Sequence, residues 1–262
     1  MMVILVTANN FLVMFVGWEG INLCLKWYNY VLIYTIINNY FMYIFSTLNN
    51  FKLKSNLRID NQDIISVIIG SVLGDSHLER RKNGMGTRII FEQCNKNIEY
   101  IMWFHKFFSE KGYCTTNTPK LKTIIKNNNK VFYHYRMSSY TFTSFNWIHD
   151  IFYKKVDNKY IKIVPLNLEI YLTPIALAIW FMDGGSKTYN TVIIATNNFN
   201  YSECLFICKV LIKKYNLDIV VKQSGKNKGY ILSIKTNTNN FKNFVYIIKP
   251  YVIPSMYYKL GL

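Results

Sequence analysis

An internal repeat constrains this fold more than any other feature, because one succession of helices and strands occurs twice between position 59 and position 262. Apolar helices are predicted over 63–74 and over 174–183. Each is followed by segments in which apolar and polar residues alternate, then by a second helix, a hairpin and a third helix. Two such passes predict an α+β fold of two pseudo-symmetric αββαββα repeats built on antiparallel sheets.

The repeats are predicted to occupy 58–157 and 158–262. In the first, we predict strands at 77–81 and 87–93, a helix at 97–111, strands at 120–125 and 131–137 around a turn at 127–129, and a helix at 141–153. In the second, we predict a strand at 191–196, a helix at 201–215, a hairpin turning at 224–229 and a helix at 239–249.

Charge points to the class of partner. The chain has 31 Lys and Arg against 14 Asp and Glu, a net charge of +17, and residues 1–50 contribute only Lys26 and Glu19. A globular region this basic typically binds a polyanion, because each phosphate that it neutralises releases counterions. A cationic surface that serves solubility or anionic lipid is disfavoured at this charge density. The five cysteines are scattered without a CxxC pair, which favours a reducing compartment and no structural zinc.

The strands around the two hairpins alternate, and their polar set is rich in basic and amide side chains. Curved antiparallel sheets with such a face would form a saddle that lies in the major groove of double-stranded DNA. Solvation of a surface also explains such residues, so both interpretations stay open. The predicted DNA-binding residues are Arg80, Arg81, Arg88, Gln93, Lys120, Lys122, Arg136, Lys187, Asn197, Lys222, Lys228 and Lys235.

The two apolar helices end in related phrases, IIGSVLGDS at 68–76 and LAIWFMDGG at 177–185. Both resemble the nine-residue signature of the LAGLIDADG homing endonuclease and maturase family. The phrases YLTPIALAIWFMDGGSK at 171–187 and IIKPYVIPSMYYKL at 247–260 are similar to its single-chain, intron-encoded branch. Independently of the family, Ser66, Gly70 and Gly74 form a small-residue stripe that lets two helix backbones approach closely.

The resemblance extends from about position 60 to position 262 and implies specific roles. Asp75 falls on the metal-binding carboxylate of the family, and Lys162 and Lys259 fall on lysines that it uses beside the reaction centre. Lysines suit that place because a point charge can orient water and offset charge on a pentacovalent phosphate. The implied cofactor is Mg²⁺, as two or three divalent ions. The implied activity is site-specific cleavage of double-stranded DNA by a monomer.

The second signature departs from the family, because Gly184 stands where an aspartate is expected, 109 positions after Asp75. Asp183 is the adjacent candidate for catalysis and metal binding. A step of one residue on a helix rotates its side chain by about 100°, so it reaches a metal only if Gly184 and Gly185 let the helix end early. Fewer ions are then expected, and the hypothesis is a nickase, a slow nuclease or a decayed one.

Residues 1–50 differ from the rest, with apolar runs at 1–16 and 28–45 that asparagines interrupt. The phrase VTANNFLVMFVGWEG at 6–20 resembles a membrane segment of subunit 5 of the mitochondrial NADH dehydrogenase. We therefore predict an exon-derived segment at 1–28, a lead-in at 29–57, a gene within a mitochondrial intron and a protein of the mitochondrial matrix.

Three functions follow from these features, and they stay open at this point. The first is the DNA endonuclease. The second is a maturase, which binds group I intron RNA and tolerates a lost carboxylate. The third is a membrane protein, which is attached to the membrane only through residues 1–50 if the mature protein retains them.

Overall fold

The computed structural model describes residues 62–80, 86–126, 130–157, 159–225, 228–236 and 239–262. Every described residue belongs to one compact unit, 54–262. The predictions for 1–28 and 29–57, and with them the membrane hypothesis, lie outside the described residues. The predicted turn at 127–129 and the predicted DNA-binding residue Arg81 lie outside them too.

Among the described residues, the first repeat contains three α-helices and four strands, followed by a further hairpin. Its elements are α1 (Gln62–Leu73), β1 (His77–Arg80), β2 (Thr87–Cys94), α2 (Ile98–Glu110), β3 (Leu121–Lys126), β4 (Lys130–Ser138) and α3 (Asn146–Phe152), and the hairpin is β5 (Tyr153–Val156) and β6 (Lys159–Lys162). A short helix, α4 (Leu168–Tyr171), precedes the second repeat. The elements of that repeat are α5 (Pro174–Gly184), β7 (Gly185–Lys187), β8 (Thr191–Ala195), α6 (Tyr201–Tyr215), β9 (Val220–Gln223), β10 (Tyr230–Lys235) and α7 (Asn239–Ile248).

The two repeats share one sheet topology, which confirms the predicted pseudo-symmetric α+β fold. The strand order is β1-β2-β4-β3 in the first repeat and β7-β8-β10-β9 in the second, and every neighbouring pair is antiparallel. One face of each sheet packs on helices. In the first sheet Phe91 of β2 packs against the rings of Phe104 and Phe108 of α2, and Ile89 is also buried. Since side chains alternate along a strand, the opposite face is free of these helices.

Local signals explain where the two longest helices of the second repeat begin and end. Thr173 caps α5 by accepting a hydrogen bond from the N–H of Ala176, and Pro174 occupies the first helical position. In α6, Asn200 and Glu203 form a reciprocal capping box, and Asn216 ends the helix with a left-handed φ of 52°. These caps explain why the predicted helix over 201–215 agrees with the structure.

Helices α1 and α5 pack against each other at the centre of the fold. A Cβ on Gly70 would lie 2.3 Å from the carbonyl oxygen of Ala176, so only glycine permits this approach. Near the helix starts, the hydroxyl of Thr173 donates to that of Ser66 at 2.8 Å. The predicted small-residue stripe is therefore the contact surface of the central helix pair.

The structure differs from the sequence prediction at the junction of the repeats. The helix predicted over 141–153 ends at Phe152, because Tyr153 pairs with Lys162 in the β5–β6 hairpin. The turn of that hairpin spans the predicted boundary at 157/158, which stays a prediction. Strand β7 was not predicted either, since three residues are too few for alternation to be visible. Among the described residues, no helix combines the length and apolar character needed to cross a bilayer.

Candidate active site and nucleic-acid interface

The C-terminal ends of α1 and α5 meet, and they bring Asp75 and Asp183 together across the interface of the two repeats. A Cβ on Gly74 would lie 2.5 Å from the Cβ of Asp183, so a glycine is required there. The N–H of Asp75 donates to Oδ2 of Asp183 at 3.4 Å. Asp75 itself is exposed, whereas only 9 % of Asp183 is. The two carboxylates therefore face different surroundings.

Asp183 points into the interface and not towards solvent. Gln93 donates to its Oδ1 at 3.5 Å and in turn accepts a hydrogen bond from Asn97 at 3.0 Å. The buried hydroxyl of Tyr100 forms a hydrogen bond with Asp183 and also lies 3.3 Å from the carbonyl of Ile179. Helix α5 continues through Gly184, so the early helix end that would let Asp183 reach a metal does not occur.

Lys162 and Lys259 occupy equivalent places, each at the C-terminal end of its own signature helix. Nζ of Lys162 donates to the carbonyls of Gly74 and Ser76 at 3.1 and 3.2 Å. Nζ of Lys259 donates to the carbonyls of Met182 and Asp183. The last carbonyls of a helix have no partners within it and carry partial negative charge, so an ammonium group is favourable there.

Burial and mutual charge shift the ionisation of this cluster. Burial, reinforced by the negative charge of Asp75, raises the pKa of Asp183 to about 8. Burial lowers the pKa of Lys162 to about 8, against the opposing pull of Asp183 and Asp75. Burial also lowers the pKa of Lys259. At neutral pH, Asp183 is therefore mostly a neutral acid within the helix interface, whereas the side chain of Asp75 faces solvent.

Position 184 has no side chain, and its surroundings show what an aspartate would meet there. A Cβ on Gly184 would lie 3.3 Å from the Cβ of Ala195, which is exposed on β8 between the buried Ile194 and Thr196. By strand alternation, Ala195 lies on the face that the helices leave open. A side chain at 184 would thus lie on the open face of the second sheet.

The two halves of the site differ in the groups that they offer to a divalent ion. Within the described part of the chain, no group of three or more His, Cys, Asp and Glu could hold a metal by itself. Mg²⁺ needs less than that, because it is commonly held by one or two carboxylates together with water and substrate phosphate oxygens. The exposed Asp75 meets this requirement in the first half. Gly184 leaves the second half without the matching carboxylate.

The predicted DNA-binding residues fall into two groups. Those on the open faces of the sheets, by strand alternation, are Arg88, Lys122 and Arg136 in the first repeat and Lys222 and Lys235 in the second. Exposed Lys120 lies just before β3. Exposed Lys228 and Asn197 lie beside the tip of the second hairpin, where Nδ2 of Asn197 donates to the carbonyl of Lys228 at 2.6 Å.

Three predicted DNA-binding residues lie elsewhere. Arg80 lies on the helix side of its sheet and forms an ion pair of 2.6 Å with Asp150. Gln93 forms part of the interface around Asp183. Lys187 lies near the ring of Phe241, with Nζ 5.9 Å from the ring centre. These three side chains are directed away from the open faces.

Two acidic residues that lie on the open face of the first sheet were not predicted from the sequence. Glu79 binds Arg88 through two nitrogens, at 2.7 and 3.0 Å, and Glu92 lies directly opposite Arg136 in the register of β2 and β4. His77 lies in the same region, where burial and then the charge of Arg136 lower its pKa. The alternation of side chains along β1 and β2 could have identified Glu79, Glu92 and His77 as residues of this face.

Comparison with known proteins agrees with this arrangement. The sequence model of the LAGLIDADG DNA endonuclease family matches residues 65–244. The cytochrome b mRNA maturase bI2 of Saccharomyces cerevisiae is 37% identical over 229 residues, which are 86% of this chain and 54% of that protein. The chain thus spans about half the length of this relative. The maturase bI2 of Debaryomyces hansenii is 37% identical over 77% of this chain and 74% of its own length.

The chain is also similar to an endonuclease and to a homing endonuclease of known structure. The intron-encoded endonuclease ai4 of Dictyostelium discoideum is 37% identical over 60% of this chain and 98% of its own length. The homing endonuclease I-WcaI, solved bound to its DNA recognition sequence, superposes with a TM-score of 0.67 at 28% identity. The superposition covers 76% of this chain and 86% of that one. The fold is thus that of a homing endonuclease in both repeats.

Proposed function

The chain belongs to the LAGLIDADG DNA endonuclease family, and on that premise we propose that it is an intron-encoded, site-specific DNA endonuclease that cuts one strand much faster than the other. One observation carries the proposal. The exposed carboxylate of Asp75 lies at the end of α1 beside Lys162, whereas the end of α5 offers Lys259 and a glycine. One half therefore has both a carboxylate and an ammonium group, and the other half has the ammonium group alone.

In the first half, the chain's own groups fix the geometry. Lys162 bonds to the carbonyls on both sides of Asp75, so the backbone that carries the carboxylate is held in place. Asp183 holds the N–H of Asp75 from the other repeat. A divalent ion bound by Asp75 and a phosphate oxygen would polarise the scissile phosphate. The Lys162 ammonium, close to its pKa near neutral pH, can orient a water and offset charge on the phosphate.

In the second half, Asp183 is not a substitute for the missing carboxylate. Its side chain is directed into the helix interface, and burial keeps it mostly neutral at pH 7. A neutral, buried acid is a poor ligand for Mg²⁺, which prefers exposed carboxylates and water. We therefore assign Asp183 to positioning Asp75, and we expect fewer than the two or three ions of a complete site.

The partner surface is the pair of open sheet faces. Lys122 and Arg136 in the first repeat, and Lys222 and Lys235 in the second, supply charge for phosphates and donors for base edges. Two repeats in one chain suit a monomer on an asymmetric or pseudo-palindromic site. The basic charge of the chain and the exon-like N-terminal segment favour action on DNA in the mitochondrial matrix.

The test is a plasmid assay. A supercoiled plasmid that carries the joined-exon sequence of the host gene is incubated with the protein and Mg²⁺, and nicked and linear products are separated over time. Accumulation of nicked circles, with the nick mapped to one strand, is the expected result. Linear product that forms at the rate of nicking contradicts the proposal, and so does the absence of both products.

A second candidate function is RNA maturation, and specific observations favour it. Two relatives at 37% identity are named cytochrome b mRNA maturases. A protein that clamps a folded intron needs no carboxylate at position 184. If this function holds, purified protein lowers the Mg²⁺ concentration at which a transcript of its own group I intron splices. An unchanged Mg²⁺ requirement contradicts it.

A further inference from the structure

A surface groove lies at the end of the central helix pair that is remote from Asp75. Its volume is about 680 Å³, within the range of pockets that bind small organic groups. Its principal lining residues are Pro174, Tyr215, Tyr246, Lys249, Tyr251 and Tyr257. Pro174 begins α5 and Gly184 ends it, and ten residue steps of helix span about 15 Å. The groove and the candidate active site are therefore different surfaces.

Two tyrosines of the groove are exposed to solvent. Tyr246 is 82 % exposed and Tyr251 is 40 % exposed. Tyr215 is anchored, because its hydroxyl donates to the carbonyl of Leu172. One wall of the groove is thus rigid and the other carries accessible rings.

The charge beside these rings is positive. Lys242 lies one helical turn before Tyr246 in α7, and exposed Lys249 follows Tyr246 by three positions. Tyr246 therefore has one cation, Lys242, on the neighbouring helical turn and a second, Lys249, in the lining of the groove itself. A surface of this composition suits a ligand that alternates flat aromatic groups with negative charge.

A second groove extends this surface. It has a volume of about 390 Å³ and shares Pro250 and Tyr251 with the first. Trp103 and Phe107 line it and stack on each other with ring centres 5.3 Å apart. The two grooves are thus neighbours on either side of Tyr251, and aromatic side chains continue from one into the other.

We propose that the first groove binds unpaired nucleotides of RNA, whose bases stack on its tyrosines while Lys249 and the neighbouring Lys242 hold the phosphates. The proposal rests on the second candidate function, RNA maturation. Sequence-specific recognition of RNA commonly targets splayed bases that stack on aromatic side chains, and such stacking tolerates different bases. A protein partner would find the tyrosines equally accessible, but the flanking Lys242 and Lys249 favour a polyanion. The groove thus gives RNA a site separate from the DNA-binding sheets.

The experiment measures two affinities for each protein. The probes are a transcript of the group I intron that contains this reading frame and a duplex of the joined-exon sequence, both at fixed salt. Tyr246→Ala with Lys249→Ala removes a ring and a charge from the groove. Tyr189→Ala is the matched control, because Tyr189 is 93 % exposed in the turn between β7 and β8, outside the groove. Lys249→Glu, on an exposed side chain, is a second variant that leaves the packing intact.

The expected result is a loss of transcript affinity of about tenfold or more in both groove variants. The double variant loses one stacked base and one phosphate contact, and Lys249→Glu replaces the phosphate contact with a repelling charge. Duplex affinity stays within about twofold, and the control keeps both affinities. Saturating duplex does not displace the transcript.

The contrary outcomes separate the two proposals. If the unmodified protein binds the transcript and the groove variants bind it equally well, the groove proposal is wrong and maturation stands. The groove would then be left to a protein partner. Complete displacement of the transcript by the duplex overturns the groove proposal in the same way. If the unmodified protein does not bind the transcript, the maturation proposal fails and the groove proposal fails with it.

Discussion

Restoring the second carboxylate is the sharpest test of the proposed strand bias. In Gly184→Asp the new Cβ lies 3.3 Å from the Cβ of Ala195, a tight contact with the single methyl group of an exposed residue. The new carboxylate joins Lys259, which already lies at this helix end. The substitution therefore requires little rearrangement, and it reproduces in the second half the pairing of Asp75 with Lys162.

The expected effect on stability is small. Replacing glycine in the last helical turn contributes up to about 0.5–1 kcal/mol, and an acid at a helix C-terminus costs about 0.3–1 kcal/mol. These two contributions nearly cancel, and the positive charge of Lys259 reduces the cost of the acid at the helix C-terminus. The effect on catalysis is larger. Stabilising the charge of a phosphoryl transition state by about 3 kcal/mol corresponds to roughly 100-fold in rate.

The assay follows conversion of supercoiled plasmid to nicked and then linear product. We expect Gly184→Asp to speed the second cut about 100-fold while the first cut changes little. Gly184→Asn is the matched control, with the same shape and no charge. Combining Gly184→Asp with Asp75→Asn should move the nick to the other strand.

Two results would refute this reasoning. One is second-strand cleavage by Gly184→Asn that is as fast as by Gly184→Asp, since the charge would then be irrelevant. The other is a nick in the double variant that stays on the original strand, since Asp75 would then not act on the strand assigned to it. Thermal unfolding of each variant checks that the fold is intact.

Three further predictions concern the helix interface and its lysine. Gly70→Ala places a methyl group 2.3 Å from the carbonyl of Ala176, and should destabilise the fold by about 1–3 kcal/mol; an unchanged melting temperature contradicts this. The pKa of Asp183 is about 8 in the folded protein, far above its value in the unfolded chain. The contribution of its neutral form to the free energy of unfolding is therefore complete below about pH 4 and is lost as the pH rises towards 8. Asp183→Asn should flatten this decline in melting temperature with EDTA present, and equal slopes refute it. Lys162→Met should slow first-strand nicking about 100-fold with little change in duplex affinity, and an unchanged rate excludes its assigned role.

Much of this protein follows from local patterns. The position of α6 is set by the capping box of Asn200 and Glu203, which acts within four residues, and so a sequence prediction could find it. The two signature helices follow from their apolar composition and from the glycines at their C-terminal ends, Gly74 just after α1 and Gly184 at the end of α5. Charge identified the class of partner, because it depends on composition and not on the fold.

Other features depend on contacts that join distant parts of the chain. The N–H of Asp75 meets Asp183 across 108 positions, and Gln93 meets the same carboxyl across 90. Whether Arg80 faced DNA or Asp150 was likewise undetermined until α3 packed on β1. The spacing of these residues along the sequence does not predict their contacts in the folded protein.

The sequence alone thus determined that two related helices end in one aspartate and one glycine. Only the tertiary structure decided that Asp183 turns into the interface and leaves the second half without an exposed carboxylate. The physical reason is the approach of α1 and α5 at Gly70 and Gly74, which brings backbones so close that the adjacent acid is enclosed. Helical rotation predicts a direction for a side chain, but packing determines what lies there.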